Sequence, residues 1–172
     1  SHVPPVHTRT WFHTGAYFEG EKISRHFVEE YYRAPDLTSV ESESLLLPGT
    51  ILPAGLLPIE EREACRALKG SILRQEIFGM DGSAKSQHPY TVKLIQPQKS
   101  NRYAVFFVHP REELGYHYER NHQDPRVSHQ LTLKVDPFGN VLQSASISYG
   151  RSPSASSDST GVSLSEEERA EQ

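Results

Sequence analysis

The chain has 172 residues, 35% of them hydrophobic, with a formal net charge of −4 and a pI near 6.1. That length fits one domain of ordinary size. The charge balance leaves no electrostatic footprint for nucleic acid or an anionic membrane, and the one cysteine, Cys65, excludes an intrachain disulfide and a four-cysteine zinc site. Mean hydropathy is −0.59, low for a compact globule, and no apolar run approaches the roughly 20 residues of a membrane-spanning helix. No secretory leader is visible, the chain starts at Ser1, and its charged end looks unfinished. The expectation is a piece of a longer polypeptide, with any targeting signal outside it.

Residues 1–19 read as an extended aromatic lead-in. Two prolines fall in the first ten residues, and Thr10 to Tyr17 is aromatic around a turn at Gly15. The unique Trp11 is expected to pack its ring on a core or sheet face. Residues 20–33 read as a helix, because Ile23, Phe27 and Tyr31 fall at i, i+4 and i+8. Ala34-Pro35 stops it. Residues 36–58 carry three internal or bounding prolines and the apolar stretches Leu45–Leu47 and Ile51–Leu57. A loop this apolar is expected to lie against a larger surface. A second helix is predicted over 58–69, with Pro58 in its first turn, Glu60, Glu61 and Glu63 near its positive end, and Gly70 just past its C-terminus. Cys65 there reads as a small buried hydrophobe, not a reactive thiol.

From Ser71 the pattern turns to period two. Strands are predicted over 71–78 and 90–96, separated by the Asp81-Gly82-Ser83 turn, and then over 103–109 and 115–120, separated by a turn from Pro110 to Gly115. The segment 103–109 is apolar on both faces and is expected to be central. The clearest signal is Val127 to Tyr149. Val127, His129, Leu131, Leu133 and Val135 share one parity, Asp136-Pro137-Phe138-Gly139-Asn140 breaks it, and Val141, Ala145, Ile147 and Tyr149 resume it. This is a hairpin with a five-residue loop. The fold class is therefore α+β, mainly β: two short helices followed by an antiparallel meander of about six strands. Residues 151–172 read as a serine-rich linker, with a capping box at Ser165–Glu168 that starts a further helix.

Catalytic and metal motifs do not assemble. His109, His117, His122 and His129 fall on neighbouring predicted strands or turns, but their spacing matches no zinc pattern. Glu41 with Glu43, and Glu166 with Glu168, match a catalytic E-x-E only in letters, since neither pair lies in a strand context. Neither a nucleophile elbow nor a glycine-rich phosphate loop occurs. The expectation is no enzyme, no cofactor and no metal.

The segment LTLKVDPFGNVLQSASISYGR resembles one unit of the tyrosine-aspartate (YD) repeat of Rhs proteins, with Asp136, Gly139, Asn140 and Tyr149 at the matching positions. Around it, EREACRALKGSILRQEIFGMDG, HPYTV, FFVHPRE, YHYERN and DPRVSHQLTL resemble the middle region of the B component (TcdB or TcB) of bacterial insecticidal toxin complexes. That region is shared with SpvB-like virulence proteins. TRTWFHTGAY and EEYY fit it too, so the resemblance spans about residues 8–151.

It implies an Rhs-like shell segment: a wall panel of the hollow β-shell that the B and C components build around a cytotoxic payload. The implied partners are the C component with its payload and, through other parts of a full chain, the pore-forming A component. The implied setting is secreted, without nucleic acid and without membrane insertion by this segment. Two rival readings stand beside it. One is a surface or glycan-binding β module that uses Trp11, Tyr17 or Tyr116 as a stacking platform. The other is a hydrolase or metal site built on the histidines.

Overall fold

The structure is a computed structural model that describes residues 3–17, 23–102 and 105–150. Its frame is one six-stranded antiparallel sheet in the order β1-β2-β3-β4-β5-β6, so each strand pairs with its neighbours in sequence. The strands are β1 (Val6–Phe12), β2 (Ile72–Gly79), β3 (Thr91–Arg102), β4 (Val105–His117), β5 (Arg126–Val135) and β6 (Val141–Ser148). Between β1 and β2 come a 3₁₀-helix over Ile23–Glu30 and the α-helices α1 (Ser39–Ser44) and α2 (Pro58–Ala67).

The meander is as expected, and so is the hairpin at its end. Several elements differ. Part of the lead-in is itself a strand: β1 pairs along β2 from Val6 opposite Gly79 to Phe12 opposite Ile72. One strand therefore precedes the helices. The two strands predicted over 103–109 and 115–120 are one strand, β4. Pro110 lies opposite Pro97, where the β3–β4 register shifts. Two prolines facing each other at one irregularity remove ladder donors at the same place, so the flanking ladder continues on both sides of it. The helix expected over 20–33 is, among the described residues, a 3₁₀-helix over Ile23–Glu30. Its successors Tyr31 and Tyr32 leave the helix and pack toward the sheet.

Register defines two faces. One row crosses the whole sheet: Trp11, Arg74, Leu94, Leu114, His129 and Ile147 stand opposite one another in turn. The next row carries Glu76, Val92, Tyr116 and Val127. Paired residues share a face, and this face holds the core. Val92, Leu94 and Tyr118 are buried there, with Tyr32, Leu46, Leu47, Leu114 and Tyr116 packed against them. Leu46 and Leu47 thus do rest on the sheet, while Leu45 and Leu57 of the same apolar segment stay exposed. The Gln96 amide fixes the following residues by donating to the Pro48 and Gly49 carbonyls at 2.9 and 3.0 Å.

α2 starts as its sequence requires. Pro58 opens it, and the Leu57 N–H donates to Glu60 at 2.8 Å. It buries Ala64 and Cys65, and its C-cap Leu68 is buried as well. Gly70 follows in the left-handed region (φ 86°) and donates its N–H to His13 O. α1 was expected to be loop. Its N-terminus is a capping box: Glu41 N–H donates to Thr38 Oγ1 at 3.3 Å, and Thr38 N–H donates to the Glu41 carboxylate at 2.9 Å.

A clamp joins two loops at one end of the sheet. Arg120 grips Asp81 through both terminal nitrogens at 2.7 and 3.0 Å, and also donates to Ser83 Oγ and Lys85 O. Arg120 and Glu119 both sit in the left-handed region (φ 67° and 47°) to make this reach. The Arg120 hydrogen bonds hold the Asp81 carboxyl well below the usual carboxylate range, assisted by Ser83. A carboxyl depressed by folding adds stability at pH values above its unfolded pKa, and that stability is lost as pH falls through the folded value. Urea midpoints measured from pH 7 down to pH 2 should therefore fall less steeply below pH ~4 for Asp81→Asn than for the natural chain. Parallel curves would remove the clamp's pH role.

Candidate functional site

The β5–β6 hairpin carries Asp136, Gly139 and Asn140, with Tyr149 just past its end, and its turn is built by one side chain. Asp136 Oδ1 accepts from the N–H groups of Phe138 (2.8 Å) and Asn140 (2.9 Å), while Oδ2 accepts from the Asn140 side chain (2.8 Å). Asp136 N–H donates in turn to Asn140 O at 2.9 Å. These donors hold the Asp136 carboxyl below its ordinary range, Asn140 contributing most. Gly139 takes φ 89°, and a Cβ there would lie 3.2 Å from the Phe107 ring. The loop tip thus closes over β4.

The other end of the hairpin is tied across three strands. Tyr149 hydroxyl and His129 Nδ1 are 3.0 Å apart, and His129 Nε2 lies 2.7 Å from Glu112 Oε1. Tyr149 N–H also donates to Val127 O. His129 is therefore a strand-tying residue. Its neighbours in the sequence-based histidine set are dispersed. His109 is buried, and burial pushes its imidazole pKa down. His122 stacks on His88 at 5.0 Å. Among the described residues, no three His, Cys, Asp or Glu side chains converge on a metal-sized site. Glu41 caps α1; Glu166, Glu168 and the Ser165 capping box lie outside the described residues.

Trp11, Tyr17 and Tyr116 do not make one exposed platform. Trp11 is 8% exposed, donates Nε1–H to Glu30 at 2.9 Å, and meets Tyr31 edge-on at 5.1 Å. Tyr17 donates to Glu61 at 2.7 Å with Arg62 over its ring. Tyr116 packs into the core beside Tyr118.

A feature missed in the sequence is the buried ion pair on β2. Arg74 and Glu76, 7% and 0% exposed, meet at 2.7 Å. Glu76 Oε1 also accepts the Tyr32 N–H at 2.8 Å, and the Arg74 guanidinium stacks over Tyr31 at 4.6 Å. Burial pushes the Tyr31 hydroxyl up to about 12, with the Arg74 charge acting against it. The pair anchors the chain after the 3₁₀-helix to the sheet.

What remains open is the sheet's second half. β6 has β5 on one side and no partner among the described residues on the other. Its Val141, Leu142 and Ile147 are 53%, 58% and 39% exposed, as are Leu133 and Tyr149 on either side of them at 55% and 46%. The opposite face of β4–β6 is polar. Glu113, Gln130 and Ser146 stand in one row, and Thr132 faces Ser144. A shallow groove of about 270 Å³ runs there, lined in part by Arg111, Glu113, Gln130, Thr132, Ser144 and Ser146.

Among the described residues the meander is open at β6 and carries exposed apolar side chains there, the form of a structural β segment. The family described as the insecticide toxin TcdB middle/C-terminal region matches residues 63–171, and the chain belongs to that family. It is also similar to chains in solved toxin complexes. In the Photorhabdus luminescens Tc holotoxin pore bearing a TccC3 mutation, identity is 31% and the TM-score 0.65, covering 88% of this chain and 7% of that one. In TcdB2–TccC3, identity is 26% and the TM-score 0.67, covering 95% and 8%. In TcdB2–TccC3 without its hypervariable C-terminal region, identity is 29% and the TM-score 0.66, with the same coverage. The chain thus spans under a tenth of the length of each of these. No match was found among curated proteins.

Proposed function

We propose that this chain is a non-catalytic wall panel of a secreted, β-structured container that encloses a cytotoxic payload, formed with a C component like the TccC3 found in the similar complexes. The observation that carries this reading is β6, which has no second strand partner among the described residues and exposes Val141, Leu142 and Ile147. An unpaired strand edge with apolar side chains is a template for a further strand. The Asp136–Asn140 turn and Tyr149 serve as one strand–turn–strand unit of the wall. Docking to an A component belongs to other parts of a full chain.

The test is assembly. In the full B-type chain, Leu142→Lys together with Ile147→Lys should abolish stoichiometric co-purification with the C component while leaving the chain soluble. Undiminished co-purification would overturn the wall reading.

A further inference from the structure

We propose that the line joining Pro97 to Pro110 is a hinge. The β3–β4 ribbon beyond it swings as one body against the rest of the sheet, and Phe107 latches it to the Asp136–Asn140 turn. This inference needs no assumption about a payload or a container.

The ladder is weakest at that line. Gln96 stands opposite Glu112 and Pro97 opposite Pro110, so Arg111 has no opposite residue and forms a bulge. Neither proline has an N–H to give to the ladder. The side strands stop at the same place. β2 accompanies β3 only as far as Leu94, and β5 accompanies β4 only as far as Glu112. Beyond it, Gln98–Arg102 and Val105–His109 pair with each other. A bend at the prolines therefore breaks none of the ladder bonds to β2 or β5. Arg111 can absorb the change in φ and ψ, as residues at the end of a rigid element do in other hinges.

The attachments divide at the same line. On the near side the Gln96 amide donates to the Pro48 and Gly49 carbonyls, which fixes β3 up to the residue before Pro97. On the far side the Phe107 ring lies against Gly139, close enough that a Cβ there would stand 3.2 Å from it. The turn that carries Gly139 is held by Asp136, which accepts from the Phe138 and Asn140 N–H groups. The far contact is apolar and joins the ribbon to another hairpin. It is therefore a latch that can part without breaking a hydrogen bond.

The experiment measures distances between two nitroxide amino acids placed in the full B-type chain by codon suppression. One pair is Asn101 on the ribbon with Glu43 on α1. Glu43 is exposed, and it borders the cavity that Leu94 and Tyr116 also line, so it reports the base of the sheet. The control pair is Glu43 with the exposed Arg126, both on the base. Asn101 lies about 13 Å beyond Pro97, so a swing of about 20°, the usual rotation between adjacent strands, should make the 43–101 distribution wider than the control by about 2–4 Å. Pro97→Val with Pro110→Val returns both donors and should narrow 43–101 to the control width. Phe107→Ala removes the latch and should widen 43–101 further while leaving 43–126 unchanged. A 43–101 distribution as narrow as the control, and still narrow in Phe107→Ala, would overturn the hinge. Equal widening of both pairs by Phe107→Ala would overturn it as well, because the ring would then hold the whole sheet and not a lever. Phe107→Ala decides the matter by itself if the valine pair does not fold.

Discussion

Arg74→Ala is expected to destabilise the protein by about 3–5 kcal/mol, the range seen when one member of a buried ion pair is removed. Glu76 is fully buried, so its carboxylate cannot turn to water. Without Arg74 its one described partner would be the Tyr32 N–H at 2.8 Å, and Oε2 already lacks a hydrogen-bond partner among the described residues. The loss spreads further because Arg74 also donates to Tyr32 O and stacks over Tyr31. Those two tyrosines hold the 3₁₀-helix segment to the sheet. With a urea slope of about 2 kcal/mol/M, the midpoint should fall by about 2 M. The double variant Arg74→Met with Glu76→Leu is the informative control. Replacing both charges with apolar groups of similar volume removes the desolvation cost along with the attraction, so most of the stability should return. A midpoint unchanged by Arg74→Ala would mean that Glu76 gains another partner or access to water.

That ion pair shows where sequence patterning stops. Ile72, Arg74, Glu76 and Phe78 share a parity in the sequence, and the structure places Arg74 and Glu76 on one face. Parity identifies residues that lie together; it does not say which face is covered. Charged residues in an alternating strand normally point to water, and here they lie under Tyr31 and Tyr32. The same gap explains β1. Val6 to Thr10 is polar or exposed on both sides because it lies at the sheet's edge, so no apolar alternation marks it. The β5–β6 hairpin was legible for the opposite reason. Its turn is specified within five residues by Asp136, Gly139 and Asn140, and needs no distant partner to be recognised. Pro110 misled as a turn because its effect depends on Pro97 across the ladder, a pairing that only the register reveals. Trp11 packs on the sheet as its sequence reading expects, and Tyr116 also lies against the core. An aromatic ring reads the same in sequence whether the fold buries it or exposes it.

Gly139→Val tests whether that locally specified turn also holds the edge of the sheet. A β-branched residue at φ 89° costs about 1–2 kcal/mol in backbone strain. Its Cβ would in addition press on Phe107 from 3.2 Å. Together these should weaken the hairpin by about 2–3 kcal/mol, within the range for a residue held in a disfavoured backbone region. The loss should be local, because among the described residues β6 pairs with β5 alone. Amide exchange across Leu131–Val135 and Val141–Ile147 should therefore quicken about 30-fold or more, at tenfold per 1.4 kcal/mol, while β2 and β3 keep their protection. Gly139→Asn should cost less, since asparagine enters the left-handed region more readily. Phe107→Ala in the Gly139→Val background should recover the steric share and leave the backbone share. If Gly139→Val leaves exchange in β5 and β6 unchanged, then Asp136 and its three accepted hydrogen bonds hold the turn without help from the glycine. The loop would then be free to lift from Phe107 at no cost to the edge strand.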